Sequence, residues 1–502
     1  MQSPISIVKQ LPHTISQKRE WQLVATLTIL LLALGLRIWN LGAESAWIDE
    51  AYSIVLAKHP IAQIIQGTAA DQHPPLYYLL LHFWLLFGSG VTYARALSLV
   101  IGMINVAQVI EFGRRQGGEI VGLGAGLFLA ISPMHVWYSQ EVRMYILLAT
   151  LTTAASIELW ACLQGRGRWT LYGLYAALSL YTHYFAAFIL LAHAVLVVIW
   201  AWRERIFKTL IKWGASMLAV GLVFGPWLPV ALNQTRFHTM GWIAPPNGIE
   251  IADTLLRLLF GGAVLVLPVL VRWVAAVITI VLLLVSFWWL RREAPSRYWP
   301  YRYLTAWAFI PFIAISGIAL VYPIFQFKQF LIILAPLLIW AVWLSRSMPR
   351  SWGLVPLAAI FAISSASLVY QQVTLTKDDW HGLSSYLEEN FTPGDVIYAN
   401  PAASSLAFSL YWDKPLPLQG YPPNYDIVRG GWEGGVVLTP SLAAQEMEAA
   451  AQGHDRIWLV EFFPQLWDPN ELLPAWLAQH GTLLEDRYFV NIHLRLYQLP
   501  KK

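Results

Sequence analysis

The sequence is short of charge and almost without cysteine. Only 12% of its 502 residues are Asp, Glu, Lys or Arg, against 57% hydrophobic, and the mean hydropathy is +0.52. A chain so poor in charge cannot clothe an ordinary water-soluble globule, so a polytopic membrane protein is expected. The single cysteine, Cys162, excludes an internal disulfide framework. Lying within an apolar run, it reads as a small buried hydrophobe rather than a redox group. The net charge of +4 is too slight and too scattered to give nucleic acid a footprint, and none is expected as a partner. No small-residue cleavage site follows the first apolar run, which is expected to be retained as a span.

What is present is a series of apolar runs near the roughly 17 to 25 residues a helix needs to cross the hydrocarbon. They are Trp21 to Trp39, Ala96 to Phe112, Ile120 to Ser132, Met144 to Leu163, Trp169 to Thr182, Phe185 to Trp202, Leu210 to Leu228, Arg272 to Leu290, Leu304 to Tyr322, Phe325 to Leu344 and Trp352 to Val369. That makes about eleven spans. Pro75 to Gly88 is short, and Leu255 to Val271 carries Arg257, Gly261, Gly262 and Pro268. The positive-inside rule decides both. Lys9, Lys18 and Arg19, then Arg114 with Arg115, Arg166 with Arg168, Arg203 to Lys212, Arg291 to Arg302, and Arg346 with Arg350 should all face the cytoplasm. Counting Pro75 to Gly88 as a span would reverse every later cluster, so it is expected to be interfacial or re-entrant, and the same parity demotes Leu255 to Val271.

The expected organisation is a cytoplasmic N-terminus (1–20), a transmembrane domain (21–369) whose first outer loop (41–95) carries interfacial helices, and an extracytoplasmic α/β domain (370–502). In the last, "GDVIYAN", "DRIWLVEF" and "NIHLRLYQL" read as strands between the helix-like "DDWHGLSSYLEENF" and "SLAAQEMEAAAQG". It has no glycine-rich phosphate loop and no Cys/His cluster, so capping or acceptor recognition is its expected role.

The outer face then collects the polar motifs. "AWIDEAYSI" places Asp49 and Glu50 at the start of a stretch with helical apolar spacing, expected to lie along the membrane surface. First-turn acids favoured by the helix dipole explain the pair as well as a base or metal ligand does. "DQHPP" puts Asp71 and His73 before Pro74 and Pro75, which suit the first turn of a helix; taken alone, the tripeptide reads better as an N-terminal cap than as a functional site. In "SPMHVWYSQEVRMY", Glu141 and Arg143 form either a structural ion pair or a site where the guanidinium grips a phosphate, with Tyr138 and Gln140 nearby.

Taken in order, these motifs resemble the integral-membrane glycosyltransferases of the C-type fold (GT-C), in the protein mannosyltransferase and aminoarabinose transferase-like branch (family 39-like). The likeness covers roughly the first 200 residues well, through the acidic pair, the D-x-H-P-P segment, "ARALSLVIGM", "GRRQGG" and "SPMHVWYSQEVRMY", with "YTHYFAAF" and "QFKQFLIILAP" beyond. The resemblance implies a polyprenyl-phosphate-linked sugar donor, a lipid, glycan or protein acceptor, and a multi-pass protein of the cell (inner) membrane whose active site is extracytoplasmic. Asp49 matches the catalytic acid, with Glu50 supporting or orienting it. Asp71, His73, Tyr138, Glu141, Arg143, His183 and Lys328 match substrate-binding positions, Arg143 and Lys328 being the candidates for the phosphate. The "QEVR" spacing and Lys328 with Gln329 depart from the commoner pattern. No metal ligands stand out; a divalent cation is possible and no cofactor is certain. The rival class is a transporter or flippase of lipid-linked sugars, which would spread polar groups through both membrane halves, whereas these spans are nearly free of ionisable groups. A third is a scaffold with a binding domain.

Overall fold

The computed structural model describes residues 11–237, 243–293, 298–347, 350–374, 377–412, 418–423, 425–429 and 438–500. Lys9, the centre of the Pro229 to Asp253 loop and part of the Arg291 to Arg302 cluster lie outside them. Among the described residues, eight helices are long and apolar enough to cross a membrane. A ninth is added if Glu119–Ile131 and Pro133–Ser139, bent by 64°, form one span. The chain is a multi-pass membrane protein. The remaining two expected spans fall on Trp169–Thr182, whose 14 residues reach about 21 Å, and on Val269–Glu293, in which Val269–Val281 is a shorter apolar stretch. Pro75 to Gly88 yields only a ten-residue helix, Leu76–Leu85, about 15 Å long and half a bilayer deep.

The 64° bend has a local cause. Pro133 lacks an N–H to continue the helix, and the Ser132 hydroxyl instead accepts the His135 N–H to start a new one. Arg37, wholly buried, stitches the bend by donating to the carbonyls of Leu129 and Ala130 at 3.2 and 3.1 Å and to His135 Nδ1 at 2.7 Å. Buried Arg37, Arg95, His135 and His193 show that the spans hold more ionisable groups than hydropathy alone suggested. Each survives there because polar partners meet it: His193, for one, lies between Ser156 and Tyr172.

The expected surface helix of the first loop is two helices, Ile48–Ala57 and Ile61–Ala70, separated at Pro60, whose ring disfavours helix in the residue before it. Ile48–Ala57 is buried on nearly every side, with Ile48, Ala51, Tyr52, Ile54, Leu56 and Ala57 in the main core. It is a core element, enclosed by the rest of the chain.

The C-terminal part holds a five-stranded sheet, order β2-β1-β3-β5-β4, made of β1 (Asp395–Asn400), β2 (Leu418–Gly420), β3 (Arg456–Phe462), β4 (Thr482–Phe489) and β5 (Ile492–Gln498). β1 pairs in parallel with β2 and β3; β5 runs antiparallel to β3 and β4. Along β3, Ile457 and Leu459 face helices Pro440–Ala451 and Leu472–His480, while Trp458, Val460 and Phe462 join the core shared with the membrane helices. That period-two division seats the sheet on the helical part. Two strands were not expected from the sequence: β2, only three residues long, and β4, which is mostly exposed.

Candidate active site

Asp49 and Glu50 start the same helix about 100° apart and meet opposite environments. Glu50 is fully buried. Its carboxylate accepts from Arg95 through Nε at 2.9 Å and Nη2 at 2.7 Å, from the Val142 N–H at 2.9 Å and from Lys377 Nζ at 3.1 Å. Burial alone would raise its pKa, but the charges of Arg95 and Lys377 with these hydrogen bonds outweigh it and hold it down to about 2. Arg95 donates in addition to the carbonyls of Leu41, Glu44 and Ser45, so all five guanidinium hydrogens are used.

Asp49 keeps 29% of its side chain exposed. Its Oδ2 lies 3.7 Å from Arg143 Nη2, and Arg143 Nη1 faces the Asp49 carbonyl, Ser53 Oγ and Tyr78 OH at 3.3 to 3.4 Å. The short strap after Ser139 therefore works on both acids, Val142 through its backbone and Arg143 through its side chain. Arg143 Nε, buried, has no partner among the described residues.

Asp71 accepts from His73 Nδ1 at 3.1 Å. Burial would raise the Asp71 carboxyl, but His73 and then Arg143 hold it down, so the carboxylate can only accept. His73 Nδ1 must carry the proton and Nε2 is left bare. Burial, with Arg143 and Lys328 nearby, lowers the His73 pKa against the pull of Asp71. The His183 ring is 5.3 Å from that of His73 and 6.1 Å from that of Tyr145. Burial first, then the charges around it, depress His183 as well. Lys328 Nζ sits 5.1 Å from the Tyr145 ring centre and 5.9 Å from that of Trp47, close to the start of the acid-bearing helix.

Asp49, Asp71, His73, Arg143, His183 and Lys328 are thus brought together. Glu141 borders the group, 1% exposed, with Oε1 unpaired among the described residues; burial pushes it up to about 7 despite Lys377, Lys328 and Arg143. Tyr138 stands behind, packed on Tyr145 and Phe327, and lines a neighbouring cavity of about 200 Å³ with Trp137, Gln371 and Arg257. Arg257, 3.6 Å from the Phe327 ring centre, had counted in the sequence only as an interruption of an apolar run. Arg95, Tyr78 and Lys377 were also missed. Arg95 stands in the quoted "ARALSLVIGM", where a charge within an apolar run was the available signal; Lys377, 327 residues from Glu50, gave none. Among the described residues no three His, Cys, Asp or Glu side chains are grouped to hold a metal ion.

Residues 72–229 match the dolichyl-phosphate-mannose-protein mannosyltransferase family. A comparison with curated proteins returns no significant match. Among solved structures, ArnT from Cupriavidus metallidurans in the apo state is similar over 96% of this chain and 98% of its own, at 13% identity and a TM-score of 0.60. The same protein bound to undecaprenyl phosphate gives 14% identity, the same coverage and a TM-score of 0.57. The archaeal oligosaccharyltransferase AglB from Archaeoglobus fulgidus, in complex with an inhibitory peptide and a dolichol-phosphate, matches 93% of this chain and 73% of its own, at 13% identity and 0.53. A segment similar to the mannosyltransferase family thus lies inside a chain folded like ArnT over nearly its whole length, and the protein has the C-type glycosyltransferase fold.

Proposed function

We propose that the protein is a membrane glycosyltransferase that moves a sugar from a polyprenyl-phosphate-linked donor to an acceptor on the membrane face carrying the sheet domain, which is the extracytoplasmic face by the distribution of Lys and Arg. The observation that carries this reading is the Asp49 and Arg143 pair: a partly exposed carboxylate beside a buried guanidinium with an unspent N–H. Asp49 takes the proton of the acceptor hydroxyl or amine as that atom attacks the anomeric carbon. The bond from that carbon to the phosphate oxygen breaks with its electron pair leaving on the phosphate. Arg143 and Lys328 neutralise the charge that gathers there, and the bare Nε2 of His73 accepts a hydrogen bond from a sugar hydroxyl. One displacement inverts the anomeric centre. Glu50 supports Asp49 by fixing the helix that carries it.

Support comes from the mannosyltransferase-family match and from the polyprenyl-type phosphates named in the ArnT and AglB structures. The test incubates purified protein in proteoliposomes with radiolabelled polyprenyl-phosphate sugars and a membrane-derived acceptor pool. Release of polyprenyl phosphate, with the label on an acceptor in inverted configuration, is expected. Movement of uncleaved donor between leaflets would instead establish the flippase reading.

A further inference from the structure

Three segments far apart in the chain converge on the Glu50 carboxylate: Arg95 from 45 residues away, Val142 from 92 and Lys377 from 327. The first two belong to the helical part. Lys377 comes from the root of the sheet domain, is 7% exposed, and sets Nζ 5.2 Å from the Trp137 ring centre as well as on Glu50. The contacts continue along the same root. The Lys377 N–H donates to Glu44 Oε1 at 3.2 Å, the His381 N–H to Ser45 Oγ at 3.0 Å, and Tyr411 OH accepts the Ala46 N–H at 2.6 Å. Residues 44 to 46 and 50, the lead-in and first turn of the Asp49 helix, are therefore held by the C-terminal part at four points.

The helix start needs such a hold. Its N-cap, Trp47, makes no side-chain cap hydrogen bond, so the first turn has no local fixture. Arg95 has no hydrogen left to give. Lys377 supplies the second charged contact on Glu50, and its charge also draws down the Glu141 carboxyl.

We infer that Lys377 is a positioning residue, and that the sheet domain, through it, fixes where the Ile48–Ala57 helix presents Asp49. The domain is then a working part of the site and more than a cap. This rests on the reading of Asp49 as the base, and the experiment separates the two. Full-length Lys377→Met, Lys377→Arg and wild type in nanodiscs are compared by amide hydrogen exchange over residues 44–57 and 140–143, and by steady-state transfer. In Lys377→Met, exchange in both segments should quicken, and kcat should fall by about ten- to a hundredfold, as expected when a reacting group shifts by about an ångström. The donor KM should change by less than about threefold, because Arg143 and Lys328 are untouched. Lys377→Arg, which keeps charge and reach and so the fold, should recover most of both readouts. Wild-type exchange and kcat in Lys377→Met, or no recovery in Lys377→Arg, would overturn the inference. Quickened exchange in Lys377→Met with no transfer by the wild type would uphold the Lys377 tie and overturn the proposed function.

Discussion

Replacing each of two adjacent acids by its amide should give opposite results. In Glu50→Gln, Arg95 keeps its place with no anion beside it, and Lys377 loses its charge partner. Breaking a fully buried pair by removing one charge costs about 3–5 kcal/mol. Unfolding entropy scales to about 1 kcal/mol per kelvin for a chain of 502 residues, so Tm should fall by about 3–5 °C. In Asp49→Asn, the lost contact is a 3.7 Å approach by a side chain 29% exposed, worth about 1 kcal/mol or less. Its Tm should move by about 1 °C while transfer is lost. The 26 tryptophans make fluorescence-monitored melting in detergent a suitable assay. A second axis is pH. Glu50 is held at about 2 against an ordinary 4.5, so its contribution is fully present above pH 4.5 and disappears as pH falls through 2. The gap between wild type and Glu50→Gln should close over that window. Equal destabilisation by the two amides, or a harmless Glu50→Gln, would refute the division of roles.

Glu141 titrates near 7 when folded against 4.5 when free, so the stability its bound proton confers is lost as pH rises between those values. Glu141→Gln should therefore melt a few degrees above wild type at pH 8, by about 3 kcal/mol, and level with it at pH 4. Arg143→Lys keeps a charge but cannot serve Asp49, Ser53, Tyr78 and a phosphate at once; the donor KM should rise by about tenfold or more in the transfer assay. At Gly261, with φ +82°, a new Cβ would stand 2.6 Å from Pro133 Cγ and 2.9 Å from Ser367 Cβ. Gly261→Ala should lower Tm by about 1–3 °C. Gly262→Ala, where a Cβ meets nothing within 4 Å, should leave it unchanged.

Elements governed by local pattern were legible. Apolar length gave the long helices, short β-like runs rich in branched and aromatic residues gave β1, β3 and β5, and the sum of Lys and Arg positions argued against a span at Leu76–Leu85. Arg203 and Arg302, both expected at the cytoplasmic end, meet at the Trp299 ring, 5.6 and 5.8 Å from its centre. β4 was missed because exposure on both faces leaves no alternation to detect. The Asp49 and Arg143 meeting was suggested by motif order, since each motif lies at a loop on one face. What composition misread was depth. The Ile48–Ala57 helix looked amphipathic, with one face left to its surroundings, yet it is enclosed because residues from the far end of the chain pack on it, the Ser405–Phe408 helix among them. The Glu50 ties are a matter of tertiary contact across 45 to 327 residues, which no local spacing encodes.

The most direct measurement is a single-turnover experiment on Asp49→Asn in nanodiscs, with bound polyprenyl-phosphate sugar quantified before acceptor is added. Donor should bind within about threefold of wild type, because Arg143 and Lys328 remain, while sugar transfer falls by about a hundredfold or more, the loss expected when a general base is removed. Transfer at the wild-type rate by Asp49→Asn with donor bound would contradict the assignment of Asp49 as the base.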